Sequence, residues 1–289
     1  MKRRLIFPFL VSCLLCDRAE AHLDRSSTAA RSLAAGSAFV SVADDASALF
    51  LNPAGMGLAA PLACYLEYTE PALMRGARES RFALVAGSGK THCGLGWYRL
   101  GAKEESDNLL IVSVARRLID GTQGSFLAVG ANIAVGSISH GQSIGGREDT
   151  WREMTGGAGV IVRPLSVISI AYSIDNLRDA HPNGASGVAS WRRVQRWGAS
   201  YFWEDRVIIS FAEEHCAGRT TIHYGLSVTT AVSVELMAGL SDDHVTGGAR
   251  WIGKRCAATI AFVSDDARQV TWTGALEILM RRGTHGEGS

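Results

Sequence analysis

The sequence predicts an all-β protein: a transmembrane, antiparallel up-and-down β-barrel of about 14 strands with a short helical hatch in its lumen. Three observations lead there. Apolar and small or polar residues alternate with period two from about residue 62 onward. After residue 21 no apolar run approaches the roughly 18 residues of a transmembrane helix. A capped apolar segment ending in Asn-Pro precedes the first strand-like run. A chain that sits in lipid without helical spans must close its sheet, because only helices and barrels satisfy every backbone polar group there.

In chain order, the first element is a signal peptide, residues 1–21. Lys2, Arg3 and Arg4 form its basic region, Leu5 to Leu15 its apolar core, and Ala19-Glu20-Ala21 a cleavage site, which starts the mature chain at His22. Leu10-Val11-Ser12-Cys13 also fits a lipoprotein box that would lipidate Cys13, after a very short apolar core.

Residues 22–61 form a compact unit before the strands. Asp44 or Asp45 caps a short helix, favoured at its positive end, and Ala46, Ala48, Leu49, Phe50 and Leu51 supply an apolar turn or two. Pro53 excludes Asn52 from the helical region, and Gly55 and Gly57 let the chain reverse. An apolar segment placed ahead of a barrel and barred from lipid belongs in the lumen, as a plug.

Residues 62–289 are the barrel. Strand-like runs fall at 62–70, 78–88, 91–101, 107–118, 122–138, 153–163, 165–175, 193–203, 206–214, 219–230, 232–241, 244–253, 256–264 and 269–280. The alternation is clear in "RTTIHYGLSVT", where Ile222, Tyr224, Leu226 and Val228 oppose Thr221, His223, Gly225, Ser227 and Thr229. Glu204-Asp205 and Asp242-Asp243 suit tight turns, and the polar or Gly-rich stretches 139–152 and 176–192 suit external loops. Trp97, Trp197, Tyr201, Trp203, Trp251 and Trp272 fit interfacial girdles. The competing reading is a soluble β-sandwich or propeller with one wet face. The terminal aromatic of many outer-membrane barrels is absent, since the chain ends "MRRGTHGEGS".

Composition narrows function. The net charge is +1 and only 20% of residues are charged, below the roughly 25% usual for soluble domains. With no basic block, nucleic acid and anionic headgroups are not expected as electrostatically driven partners. Cys64, Cys93, Cys216 and Cys256 lie in apolar runs and read as buried or lipid-facing thiols, although three disulfide pairings are open to them. No close Cys/His pairs suggest a metal, and nothing suggests an organic cofactor.

Two motifs invite enzymatic readings. "GSGKT" (87–91) has Leu84 where a phosphate loop needs glycine, and no helix follows. "GQSIG" (141–145) offers Ser143 as an esterase nucleophile, but in a Gly-rich loop rather than at a strand-to-helix elbow. On the polar face, His223 could meet a carboxylate ligand, or simply face water. Arg163, Arg196 and Arg250 could bind a carboxylate bidentately. Pairing with Glu235, Glu214 or a hatch carboxylate such as Asp44 is favoured, because an uncompensated charge in a plugged barrel is costly.

"GSAFVSVADDASALFLNPAGM" resembles the N-terminal hatch of the FadL-like outer-membrane transport proteins, and is similar to related spirochaete barrels and type IX secretion shuttle barrels. Ala43, Asp44, Asp45, Ala46, Asn52, Pro53, Ala54 and Gly55 carry the match; "GGAGVIVRPLSVISIAYSIDNL" and "YGLSVTTAVSVELMAGLSDDHVTGGARW" resemble the family's strand–turn–strand units. The resemblance implies an outer-membrane location and uptake of a hydrophobic small molecule, with a long-chain fatty acid the default and membrane lipid as surroundings. Asn52, Pro53, Ala54 and Gly55, with Phe50, are the implied gate and ligand residues; His223, Arg163, Arg196, Arg250 and Glu235 are luminal candidates. The site is expected in an apolar pocket between hatch and wall. A barrel that docks or shuttles exported proteins is the alternative, and a surface serine esterase a third reading.

Overall fold

A computed structural model of the chain describes residues 29–70, 77–101, 105–140, 149–177, 192–204, 206–242, 244–264 and 270–280. The expected signal segment, with Cys13, and the segment that holds Ser143 lie outside these residues. The strands are β1 (Leu62–Glu70), β2 (Arg78–Ser88), β3 (Thr91–Gly101), β4 (Glu105–Asp120), β5 (Phe126–His140), β6 (Asp149–Leu165) and β7 (Ile168–Asp175). They continue as β8 (Val194–Trp203), β9 (Val207–Cys216), β10 (Arg219–Thr229), β11 (Val234–Ser241), β12 (His244–Ile252), β13 (Cys256–Ser264) and β14 (Val270–Met280). Every strand pairs antiparallel with its sequence neighbours, and β1 closes the barrel against β14 with Leu62 opposite Met280 and Glu70 opposite Trp272.

The expected and observed strands coincide in number and nearly in bounds. The largest differences have local causes. β4 and β6 are longer than their apolar runs, because residues 105–106 and 149–152 continue the ladder at the loop end through backbone pairing; β5 starts at Phe126 rather than 122, because Thr122–Gly124 form a 3-10 turn, and ends at His140 rather than 138. β11 starts at Val234 rather than 232. Thr230 and Ser233 close a turn there, with the Thr230 amide donating to the Val234 carbonyl at 2.8 Å, and Val232 is left at its tip.

The two ends of the barrel differ. Connections 89–90, 121–125, 166–167, 204–206, 230–233 and 253–255 make one end of tight turns, which also receives the chain from the hatch. The opposite end carries the long connections 71–77, 141–148 and 176–193. These are called the turn end and the loop end below.

Burial confirms the period-two reading. Along β3, His92, Gly94, Gly96, Tyr98 and Leu100 point inward, while Thr91, Cys93, Leu95, Trp97 and Arg99 point outward. Leu110, Val112, Val114, Ile133, Val135, Ile170, Leu226, Leu236, Leu240 and Ile260 are all exposed on the outer wall. An apolar surface that wraps a closed sheet is far larger than water tolerates, and it is what a membrane-spanning barrel presents to lipid. Tyr172, Trp197, Tyr224 and Trp272 stand toward the loop end of that surface, and Trp203 and Trp251 at the turn end. The thiols of Cys64, Cys93, Cys216 and Cys256 are unbridged.

Residues 29–61 fill the lumen. They form α1 (Ala30–Ala34), α2 (Ala48–Leu51) and a 3-10 turn (Pro53–Leu58). Among residues 29–60 only Asp44 is exposed. Neither Asp44 nor Asp45 caps α2: its N-cap residue is Ser47, with no side-chain cap bond, because Asp45 is spent one turn earlier on the Ser47 amide at 3.0 Å and Asp44 turns away to an arginine. α2 stops because Asn52, ahead of Pro53, is forced to an extended φ of −150°.

Candidate ligand path and its plug

The Asn-Pro-Ala knuckle is the point at which the plug is seated. Asn52 is fully buried, and its side chain uses both of its functional ends. Its amide donates to the Val40 carbonyl at 3.1 Å and to the β6 carbonyl of Val160 at 3.5 Å, and its oxygen accepts the Ala54 amide at 3.1 Å. The same oxygen lies where a β-carbon on Gly159 of β6 would stand, and the Pro53 backbone lies where one on Gly130 of β5 would stand. The wall is therefore notched by two glycines where the knuckle enters. Farther round, Leu49 occupies the equivalent space at Gly96, and Gly36 at Gly239.

A chain of charges joins plug and wall. Arg31 of α1 bonds Glu235 of β11 with Nε and Nη2 at 3.1 and 3.2 Å, and reaches Asp44 at 2.5 Å and Asp45 at 3.4 Å with Nη1. Glu235 also accepts the Ser227 hydroxyl at 2.6 Å and faces Arg250 at 3.7 Å. Arg250 in turn pairs with Glu277 of β14 at 2.6 Å, whose second oxygen accepts the Ala46 amide at 3.2 Å. The path leaves the plug at Arg31 and returns to it beside Asp45. Burial alone would lower the Arg31 pKa, but Asp44, Glu235 and Asp45 hold it well above its ordinary value, so the guanidinium stays charged.

A second cluster stands nearby. Arg81 of β2 pairs with Glu67 and Glu79 and stacks over Tyr98, and Glu67 accepts the Ala30 amide at 2.6 Å. Toward the loop end of β7–β9, Arg196 is clasped by Asp175 at 2.6 Å and Glu214 at 2.5 Å.

Between these charged clusters the inner wall carries an apolar patch, flanked on the same strands by the inward-facing His92, Asp107 and Ser113. Leu100 of β3, Leu109 and Ile111 of β4 and Ala134 of β5 belong to one contiguous buried cluster with Leu49, Phe50 and Met56 of the plug. An apolar stripe thus runs along β3–β5, from residues near the loop end to Phe50.

The candidate residues sort themselves accordingly. Phe50, Asn52, Pro53 and Ala54 lie together at the plug–wall contact, while Gly55 packs within the plug against Ala43 and Ala48. Arg196, Arg250 and Glu235 are ion-paired with luminal or plug groups, as charge burial requires. Arg163 lies between the rings of Phe202 (4.1 Å) and Phe126 (5.1 Å) near the turn end. His223 points inward and is buried beside the first plug turn. Along the contacts described, the plug–wall seam is filled rather than hollow, and the β3–β5 stripe is buried as part of it.

Arg31 and the wall glycines were missed. An arginine inside a run of small residues, "STAARSLAAG", was a visible sign that it needed a buried carboxylate. The glycines gave no sign, since period two places them on the polar face without saying what they meet.

Fold and site together define a plugged, membrane-spanning β-barrel. Its architecture is that of solved transport barrels. The Ralstonia pickettii toluene transporter TbuX matches with a TM-score of 0.63 at 12% identity, over 89% of this chain and 99% of that one. A Pseudomonas aeruginosa FadL homologue matches with a TM-score of 0.61 at 10% identity, over 87% and 98%. The Pseudomonas putida toluene transporter TodX matches with a TM-score of 0.55 at 11% identity, over 85% and 96%. The chain therefore has the fold of the FadL-like barrels. No protein-family model and no curated protein sequence matches it.

Proposed function

We propose that this protein is an outer-membrane channel for uptake of hydrophobic small molecules, with residues 22–61 as the hatch that gates it. The observation that carries the reading is the apolar stripe of Leu100, Leu109, Ile111 and Ala134, which leads to Phe50 on the plug. A ligand moving along it would exchange water for hydrocarbon at about 0.8 kcal/mol per methylene, without a polar anchor. Passage then requires the Asn52-Pro53-Ala54 knuckle to leave its glycine notch. Long-chain fatty acids are the proposed substrate class. The toluene transporters that share the fold make small aromatic hydrocarbons the competing one.

The test is titration of the refolded barrel in detergent with a fluorescent long-chain fatty acid, competed by unlabelled acids of graded length and by toluene. Saturable binding that tightens with chain length supports the fatty-acid assignment. Displacement by toluene, with no dependence on chain length, moves the assignment to aromatic hydrocarbons. No competable binding by a folded barrel overturns the transport reading.

A further inference from the structure

The outer wall of β2–β6 carries charge in a pattern that the lumen does not explain. Near the loop end, Ser80, Arg99, Asn108, Ser137 and Arg152 stand directly opposite one another on five consecutive strands. The alternation of burial turns all five outward, away from the plug. Their sequence neighbours Glu79, Asp107 and Glu153 point to the lumen by the same alternation, so guanidinium and carboxylate are sorted to opposite faces of the sheet. Arg99 and Arg152 are exposed, and neither makes an ion pair or a side-chain hydrogen bond among the described residues.

The wall below this polar row is apolar. The next outward rung toward the turn end is Phe82, Trp97, Leu110, Val135 and Met154, of which all but Phe82 are exposed. Two further apolar rungs follow, led by Leu84 and Ala86 on β2, before Ser88, Thr91 and Arg116 make a second polar row near the turn end. The two rows thus bracket a hydrocarbon belt. An arginine on the lipid face of a barrel is tolerated at the edge of that belt, where its long stem lets the guanidinium reach the headgroups. On their inner face the same strands carry the stripe of Leu100, Leu109, Ile111 and Ala134.

We infer that this face of the barrel binds two anionic phospholipids side by side. Arg99 and Arg152 each take one lipid phosphate, Asn108 and Ser137 hydrogen-bond the headgroups between them, and the acyl chains lie on the apolar rungs below. Neighbouring strands stand about 4.8 Å apart, which puts the two arginines about 14 Å from each other, too far to share one phosphate. Guanidinium is suited to phosphate because its planar donors engage two oxygens at once. Trp97, on the rung below Arg99, sits at the level of the glycerol, where amphipathic rings are favoured. With Glu79, Asp107 and Glu153 turned to the lumen, the outer face at this level is positive and prefers an anionic headgroup to a zwitterionic one. The site requires only that the barrel span a membrane, and is independent of what passes through the lumen.

The experiment is native mass spectrometry of the full barrel in neutral detergent. Phosphatidylglycerol, phosphatidylcholine or inorganic phosphate is added to wild type, to Arg99→Ala, to Arg152→Ala, to the double alanine variant and to its lysine counterpart. Lys254→Ala/Arg255→Ala, which removes the same charge from a turn, is the control. Wild type should retain more phosphatidylglycerol than phosphatidylcholine. Each single variant should hold one phosphatidylglycerol fewer than wild type and the double alanine variant two fewer, while the lysine counterpart and the control match wild type. Equal adduct numbers in wild type and the double alanine variant, or an equal loss in the control, overturn the site. Phosphatidylcholine retained as well as phosphatidylglycerol overturns the anionic assignment. Displacement of phosphatidylglycerol by equimolar inorganic phosphate overturns the lipid as the source of the phosphate.

Discussion

Asn52 on the plug and Gly159 on β6 share one volume: the Asn52 side-chain oxygen stands where a β-carbon on residue 159 would be. That relationship makes the plug's position a property of the wall as much as of the plug. Replacing Gly159 or Gly130 by valine should unseat the knuckle, and overpacking of this kind costs typically ~1–3 kcal/mol. The expected readout is a lower denaturation midpoint of the refolded barrel. Gly274→Val is the control, since its β-carbon would meet nothing within 4 Å, and it should leave the midpoint unchanged.

Asn52→Ala removes the acceptor of the Ala54 amide and the donor to the Val40 carbonyl, both buried. Leaving such groups unpaired costs about 1–3 kcal/mol each. Asn52→Asp keeps the acceptor but turns a carboxylate toward the Val40 carbonyl, so it should destabilise at least as much. Chemical denaturation of both variants checks this; an unchanged midpoint in either would mean the knuckle is not held by these bonds.

Arg31 and Glu235 are paired by two hydrogen bonds across the plug–wall boundary. Removing one partner of a buried pair typically costs about 3–5 kcal/mol, because the other charge is left behind. Arg31→Ala and Glu235→Ala should each destabilise strongly, and the double variant should lose less than the sum. A coupling of about 0.5–3 kcal/mol is expected. Additive effects would show that the two residues act separately.

Leu109→Gln and Ile111→Gln place amides on the apolar stripe without touching the knuckle. Burying an amide that a hydrocarbon ligand cannot pair costs about 1–3 kcal/mol. Hydrophobic-ligand affinity should therefore fall roughly tenfold while the barrel remains folded. Unchanged affinity would place the ligand path elsewhere.

Most of the barrel was legible in the sequence because a strand between lipid and lumen has one apolar face, and that constraint writes itself as period two. The unit before β1 was legible for a complementary reason: Asn52-Pro53 after an apolar turn cannot continue as helix, and Leu49, Phe50 and Leu51 need shelter. What a strand's period does not encode is which luminal residue meets which. Glu235 and Arg250 are recognisable as inward charges, but their partners Arg31 and Glu277 come from distant parts of the chain. Likewise the extension of β4 to residue 105 and of β6 to residue 149 carries no apolar signal, since those residues continue the ladder by backbone bonding.

The central claim, that passage requires the plug to move, has a direct test. Ser41 of the plug and Ser200 of β8 face one another with hydroxyl oxygens 2.6 Å apart. In a background with Cys64, Cys93, Cys216 and Cys256 replaced by serine, Ser41→Cys and Ser200→Cys would lock plug to wall when oxidised. Uptake of a fluorescent fatty acid into liposomes holding this variant should be lost in the oxidised form and return on reduction. Equal uptake in both forms, with the disulfide verified, would contradict a moving plug.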